Sequence, residues 1–236
     1  TWPTYRHDNE RSGVTPMQLS IPLEIAWQKN LSKKPLSSAV ADEGKIVLAW
    51  PDTHQVFCVD AQAGEQRWKY IAGGRIDTPP SIHRGRVFFG GRDGLLYALD
   101  FDSGDLAWEL DLNPDASRIH AFGQLESTQP LHGSVLVRDG FVYALSGRSS
   151  FLDDGLRLYK VRATDGKIVA SRVLAGELQS DGKAVNAMLP DLLCATETRG
   201  LHLLGPGVPS GEKDSGSEAL MTLGGRDQYT PGLLPP

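Results

Sequence analysis

Apolar residues in this chain fall in short runs, and the runs recur in a fixed order. Ile46-Val47-Leu48-Ala49, Val87-Phe88-Phe89 and Val142-Tyr143-Ala144-Leu145 are rich in β-branched and aromatic residues, as buried strands are. Each follows a turn that ends in glycine: Asp42-Glu43-Gly44, His83-Arg84-Gly85 and Arg138-Asp139-Gly140. Glycine suits a turn position with positive φ, which other residues resist. A first strand precedes each turn, at 37–41, 79–83 and 133–137. A third strand runs into Val59-Asp60, Leu99-Asp100 and Val161-Arg162, and a fourth begins after Gly64, Gly104 and Gly166.

The junction of third and fourth strands is the most repetitive part. It reads Asp60-Ala61-Gln62-Ala63-Gly64 leading to Trp68, then Asp100-Phe101-Asp102-Ser103-Gly104 leading to Trp108. A third copy reads Arg162-Ala163-Thr164-Asp165-Gly166 leading to Ala170, and a partial one survives as Leu23-Glu24-Ile25-Ala26-Trp27. The tryptophans at 27, 68 and 108 set periods of 41 and 40 residues. A repeat of about 40–45 residues with several short strands marks a β-propeller blade. Asp60 and Asp100 suit acceptors for turn amides. Gly64, Gly104 and Gly166 suit the left-handed position of a bulged turn. Trp27, Trp68 and Trp108 offer large faces for packing between blades.

The predicted fold is therefore all-β, a propeller of about four four-stranded blades or part of a larger ring. Blades are expected at about 37–70, 77–110 and 133–173, with a degenerate fourth at 187–224. Residues 1–28 form a lead-in whose 21–28 stretch supplies the outer strand of a closing blade, and 225–236 form a tail.

The spacing breaks in the third blade. Trp27 to Gly44 and Trp68 to Gly85 are each 17 residues, but Trp108 to Gly140 is 32, an insertion of 15. Gly85 to Asp100 is 15 residues and Gly140 to Arg162 is 22, a second insertion of 7. Insertions into a regular array commonly decorate one face, often the binding face.

Composition adds exclusions. The net charge is −5 with no basic block, which argues against a nucleic-acid partner. No apolar run approaches the roughly 18 residues of a transmembrane helix. The opening Thr1-Trp2-Pro3 lacks the pattern of a signal peptide and leaves the compartment open. Cys58 and Cys194 match no metal or redox spacing. Phosphate-loop, zinc-protease and nucleophile-elbow motifs do not occur. Asp111-Leu112-Asn113-Pro114-Asp115 opens like a calcium loop, but Phe122 stands where its last ligand belongs. Asn30-Leu31-Ser32 fits a glycosylation acceptor, a match common by chance.

The Asp-x-x-x-Gly-x-x-x-Trp motif resembles the blade repeat of quinoprotein dehydrogenase-like propellers, the PQQ-like repeat. Trp2-Pro3-Thr4-Tyr5-Arg6-His7-Asp8 through Arg11-Ser12-Gly13 is similar to the lead-in of bacterial members. Gly123-Gln124-Leu125-Glu126-Ser127, Pro130–Ser134 and Gly147–Asp153 resemble a multidomain planctomycete-type subgroup. The likeness covers residues 1 to about 175. It implies PQQ-like four-stranded blades, a bacterial protein and a periplasmic or extracellular setting. It also implies either further blades in a longer protein or a member with few blades. The enzymes of the group carry eight blades, an adjacent cysteine pair, a calcium site and a catalytic aspartate; this chain shows no adjacent cysteines. The expected function is thus a non-catalytic scaffold or binding module for a protein or small-molecule partner, with no cofactor. The alternative is a fragment of a PQQ- and calcium-dependent dehydrogenase. The polar residues of the insertions, Gln124, Glu126, His132, Arg148 and Asp153, are the candidate ligand site, expected in one depression at the channel mouth. Against this stands the reading that they satisfy one another and cap loop backbone.

Overall fold

The computed structural model describes residues 1–19, 21–30, 35–121, 123–178, 180, 184–185, 190, 192–196, 200–204 and 220–222. Three four-stranded antiparallel sheets follow one another along the chain. The first contains β1 (Val40–Asp42), β2 (Lys45–Trp50), β3 (Gln55–Asp60) and β4 (Gln66–Ile71). The second contains β5 (Ser81–His83), β6 (Arg86–Gly90), β7 (Leu95–Asp100) and β8 (Leu106–Asp111). A hairpin, β9 (Arg118–Ala121) with β10 (Gln124–Ser127), comes next. The third sheet contains β11 (Leu136–Arg138), β12 (Phe141–Ser146), β13 (Leu156–Arg162) and β14 (Ile168–Leu174). Beyond a short pair, β15 (Glu177–Leu178) and β16 (Ala184–Val185), lies a sheet of β17 (Leu192–Thr196), β18 (Gly200–Leu204) and β19 (Leu220–Thr222). Residues 187–189, the loop at 206–217 and the tail fall outside the described residues, as do Leu31, Ser32 and Phe122.

Successive side chains of a strand point to opposite faces, and here both faces are covered. Phe89, Tyr97 and Leu99 pack against Val47, Val56 and Trp68 of the first sheet. Their neighbours Phe88, Leu96 and Ala98 pack against Val142, Ala144 and Tyr159 of the third. The third sheet in turn packs Leu145, Leu156 and Leu158 on Leu193, Ala195 and Leu201. Burial on both faces explains why the sequence shows continuous apolar runs rather than clean alternation.

The repeat motif joins these layers. In each of the three sheets the ladder shifts register within the Cys58/Val59, Ala98/Leu99 and Lys160/Val161 steps. A bulge re-aims the side chain beside it. In the first two sheets that side chain is Trp68 or Trp108, which reaches over the next blade's turn. Trp68 Nε1 donates to Phe101 O at 2.9 Å and Trp108 Nε1 to Ala163 O at 3.1 Å. Trp27 makes the same contact with Ala61 O at 2.8 Å. The rings lie on Gly64, Gly104 and Gly166, where a methyl group would sit 2.6–2.9 Å from ring carbons. These glycines thus supply both positive φ and the flat seat for the ring.

Trp27 holds this place without a strand. The outer strand expected near 21–28 is not formed; residues 23–30 are irregular, and Ile21, Leu23 and Ile25 are exposed. A strand needs a neighbour to take its backbone hydrogen bonds, and these residues pair with none of the described strands.

Asp60 accepts from the amides of Gln62 and Ala63, and Asp100 from those of Asp102 and Ser103. The third blade keeps the turn by exchange. Arg162 stands at the aspartate position and pairs with Asp165, which accepts from Lys167 N. Arg67 and the two amides hold the Asp60 carboxyl at about 2, well below the usual range. A carboxyl depressed in the folded state stabilises above its unfolded pKa, and that contribution is lost as pH falls through the folded value. Asp60 is expected to titrate near 2 by NMR, and Arg67→Gln to raise its midpoint. A wild-type midpoint near the ordinary aspartate value would refute the assignment.

The lead-in lies along the innermost strands. Trp2 bridges Ala41 of β1, and Ile82 N of β5 donates to Pro3 O at 2.7 Å. Asn9 Nδ2 donates to Val137 O of β11, and Ala195 N of β17 donates to Asn9 O. One segment therefore ties together the first strands of the three four-stranded sheets and of the β17–β19 sheet. At its centre Arg11 is 2% exposed. Its guanidinium donates to Leu193 O, Thr4 Oγ1, Tyr5 O and Val135 O.

Candidate binding site at the channel mouth

Antiparallel order sorts the loops onto two faces. The glycine turns after β1, β5 and β11 share one face with the tryptophan-docking turns, linked by Ala61 N to Gly44 O, Phe101 N to Gly85 O and Ala163 N to Gly140 O. The loops at 51–54, 91–94 and 147–155, and the crossovers at 72–80 and 112–135, must then lie on the opposite face. Both insertions are on that face. The first folds as the β9–β10 hairpin, anchored by Ser127 N to Arg92 O at 2.8 Å. The second is a loop seated by Phe151 against Gly176.

A cavity of about 430 Å³ opens on this face. Its walls are the segments leading into the inner strands: 36–38 before β1, 77–79 before β5, 132–134 before β11, and Pro190 with Leu192 at β17. Tyr5 of the lead-in completes the lining.

Beside the cavity runs a chain of alternating charges. Asp52 accepts from Arg75 at 3.0 Å, and Asp77 is held between Arg75 and Arg92. Arg92 also reaches both Glu126 oxygens, at 3.0 and 3.2 Å. Gln124 Nε2 donates to Glu126 at 3.1 Å, and its oxygen meets His54 Nε2 at 3.0 Å. Burial works against the Asp77 carboxylate, but the hydrogen bonds from Arg75 and Arg92 outweigh it and hold its pKa below the ordinary value.

Of the candidate residues, Gln124 and Glu126 belong to this network and His132 lines the cavity. Burial pushes the His132 pKa down, with Arg92 and Arg148 adding to the shift while Asp77 and Glu126 oppose it. The imidazole is therefore neutral at pH 7 and both donates and accepts. Arg148 pairs with Asp153 at 2.5 Å, and Asp153 O accepts from Gln129 at 2.7 Å. All five lie on the cavity face, but Gln124, Glu126, Arg148 and Asp153 are outside the lining.

The residues that complete the network, Asp52, His54, Arg75, Asp77 and Arg92, come from the regular blades rather than the insertions. For the two arginines the sequence signal was the pair of glycine-rich turns Gly73-Gly74-Arg75 and Gly90-Gly91-Arg92-Asp93-Gly94. Asp93 packs there against Gly73, Gly74 and Gly91, where any added methyl would strike it.

Calcium takes oxygen ligands and a quinone bearing acid groups takes cations. At this mouth Asp77 and Glu126 are engaged by arginines, and those arginines by acids. This donor set does not fit PQQ with calcium. The Asp111 loop is likewise used internally, since Asp111 Oδ1 accepts from Asn113 N at 2.8 Å. Among the described residues no group of three or more His, Cys, Asp or Glu is placed to hold a metal. Cys58 and Cys194 are separate, buried and free, and burial raises each thiol to about 11.

Consecutive four-stranded sheets, packed face to face and joined through their inner strands, define a β-propeller architecture. The comparisons agree. The quinohemoprotein alcohol dehydrogenase of Comamonas testosteroni matches 73% of this chain at TM-score 0.60 and 19% identity, over 27% of its own length. The family described as outer membrane protein assembly factor BamB matches residues 24–197, and this chain belongs to that family of PQQ-like repeat proteins. A relative of that name from Nitrosomonas eutropha is 30% identical over 131 residues, 52% of this chain and 30% of the relative. Another from Yersinia pestis is 27% identical over 100 residues, 38% of this chain and 25% of the relative. The chain thus spans under a third of the length of these relatives. Among the described residues no helix is long and apolar enough to cross a membrane, which says nothing of strands.

Proposed function

We propose that this chain is a non-catalytic, protein-binding propeller unit that serves in outer membrane protein assembly. It docks its partner on the face that carries the two insertions. The observation that carries this reading is the exposure of apolar side chains on both insertions. Leu125 on the hairpin is 61% exposed, and Phe151 and Leu152 on the loop are 41% and 46% exposed. They flank a charge network that is already neutralised from within. Apolar anchors rimmed by polar groups are what a protein interface presents. Membership of the family supports the reading, as does the name of its relatives. It implies a periplasmic location in the bacterial envelope.

The test is site-directed crosslinking in a cell that expresses the whole protein. Photo-reactive residues at 125 and 151 are expected to capture a component of the outer-membrane assembly machinery. Leu125→Asp with Leu152→Asp is expected to cut complex formation about tenfold or more, with unchanged thermal unfolding. Complex formation that survives the double variant would overturn the docking face. Saturable binding of PQQ with calcium, together with alcohol-dependent dye reduction, would overturn the non-catalytic reading.

A further inference from the structure

We infer that the cavity at the channel mouth binds a neutral polyhydroxyl ligand the size of a mono- or disaccharide. The inference goes beyond protein docking and uses other residues. Ser134 lines the cavity while only 2% exposed, so the cavity is the side from which its hydroxyl can be reached. Buried polar groups as a rule meet a partner. A ligand in the cavity can supply one to Ser134. Thr78, His132 and Tyr5 also line it. Hydroxyls and a neutral imidazole both donate and accept, the pattern that sugar hydroxyls require. Tyr5, Pro79 and Leu192 supply apolar surface for the C–H face of a ring. The volume of about 430 Å³ lies in the range of small-molecule pockets.

Charge selects against ionic ligands. Asp77, the carboxylate among the described lining residues, is already held by Arg75 and Arg92. An anion or a cation would have to break those pairs. An extended peptide is disfavoured for a different reason. It would bind by adding to a strand edge, but the inner edges are taken by the lead-in through Trp2, Pro3 and Asn9.

The experiment is NMR titration of the protein with glucose, N-acetylglucosamine and maltose. Glucuronate and tetra-alanine serve as the charged and peptide comparisons. At least one neutral sugar is expected to bind saturably and shift the signals of Thr78, His132 and Ser134. Ser134→Val is expected to weaken that binding about tenfold or more. Thr78→Val, at a half-buried position, gives the same reading if the Ser134 variant does not fold. The double variant Leu125→Asp, Leu152→Asp should bind the sugar unchanged, which separates this site from the docking face. The inference fails if no neutral sugar binds at roughly 50 mM, a concentration that detects even millimolar affinity. It also fails if glucuronate or the peptide binds better, or if the variants that fold bind as the parent does.

Discussion

Replacing Trp68 by alanine is expected to destabilise the folded chain by about 3–5 kcal/mol, the range for deleting a large buried aromatic. Trp68 is 6% exposed and sits in the core between the first and second sheets. Its truncation leaves a cavity there and removes the donor to Phe101 O. It also uncovers Gly104, whose turn is shaped for the ring. Trp27 and Trp108 are less buried, so their alanine variants should lose less. Gly104→Ala tests the seat from the other side. An alanine there carries φ near +77° and points its methyl 2.6 Å from the Trp68 ring. It should therefore cost more than the roughly 1 kcal/mol of a left-handed alanine alone. Urea unfolding followed by circular dichroism measures both. A loss below about 1 kcal/mol for Trp68→Ala would show that the blades do not lean on this contact.

The same contact shows what was legible in the sequence. Asp60, Gly64 and Trp68 lie within one turn and its following strand, so their spacing carried the hairpin into view. The packing of each tryptophan on the next blade followed from the repeat, because the partner turn recurs one period later. Trp27 was legible as a docking residue but misled as a strand marker. Ile21, Leu23 and Ile25 alternate as strand residues do, yet alternation says nothing about whether a neighbouring strand is there. The loss of the third-blade aspartate was visible, whereas its replacement by Asp165 depends on Arg162 reaching across the turn. In the insertions, the polar cluster was visible but its partners were not. Glu126 meets Arg92 only because the β9–β10 hairpin folds back on the second blade. Once paired, Gln124 and Glu126 stand beside the cavity, and His132 alone of the cluster lines it. The other polar residues of the lining include the plainer Thr78 and Ser134, residues no motif singles out.

Arg11→Ala is expected to free the lead-in and cost about 2–6 kcal/mol. The estimate comes from its acceptors at about 1–3 kcal/mol for each one left unmatched. Val135 O keeps the hydroxyl of Ser81 at 2.9 Å, and Thr4 Oγ1 keeps the same hydroxyl at 2.8 Å. The bonds to Leu193 O and Tyr5 O have no such replacement. Burial disfavours the charged guanidinium, so part of the loss is offset when the charge is removed. What is not offset is the geometry. One planar fork reaches carbonyls on β17, the lead-in and the segment before β11, across as many as 182 residues of chain. Arg11→Lys keeps the charge but has a single ammonium in place of the fork, so it should restore less than half of the loss. Because the lead-in bonds to β1, β5, β11 and β17, the effect should spread beyond residue 11. Amide exchange is expected to accelerate at Ala41, Ile82 and Ala195, whose amides donate to lead-in carbonyls. If exchange at those three amides is unchanged in Arg11→Ala, the lead-in is held by its backbone alone and Arg11 is not its anchor.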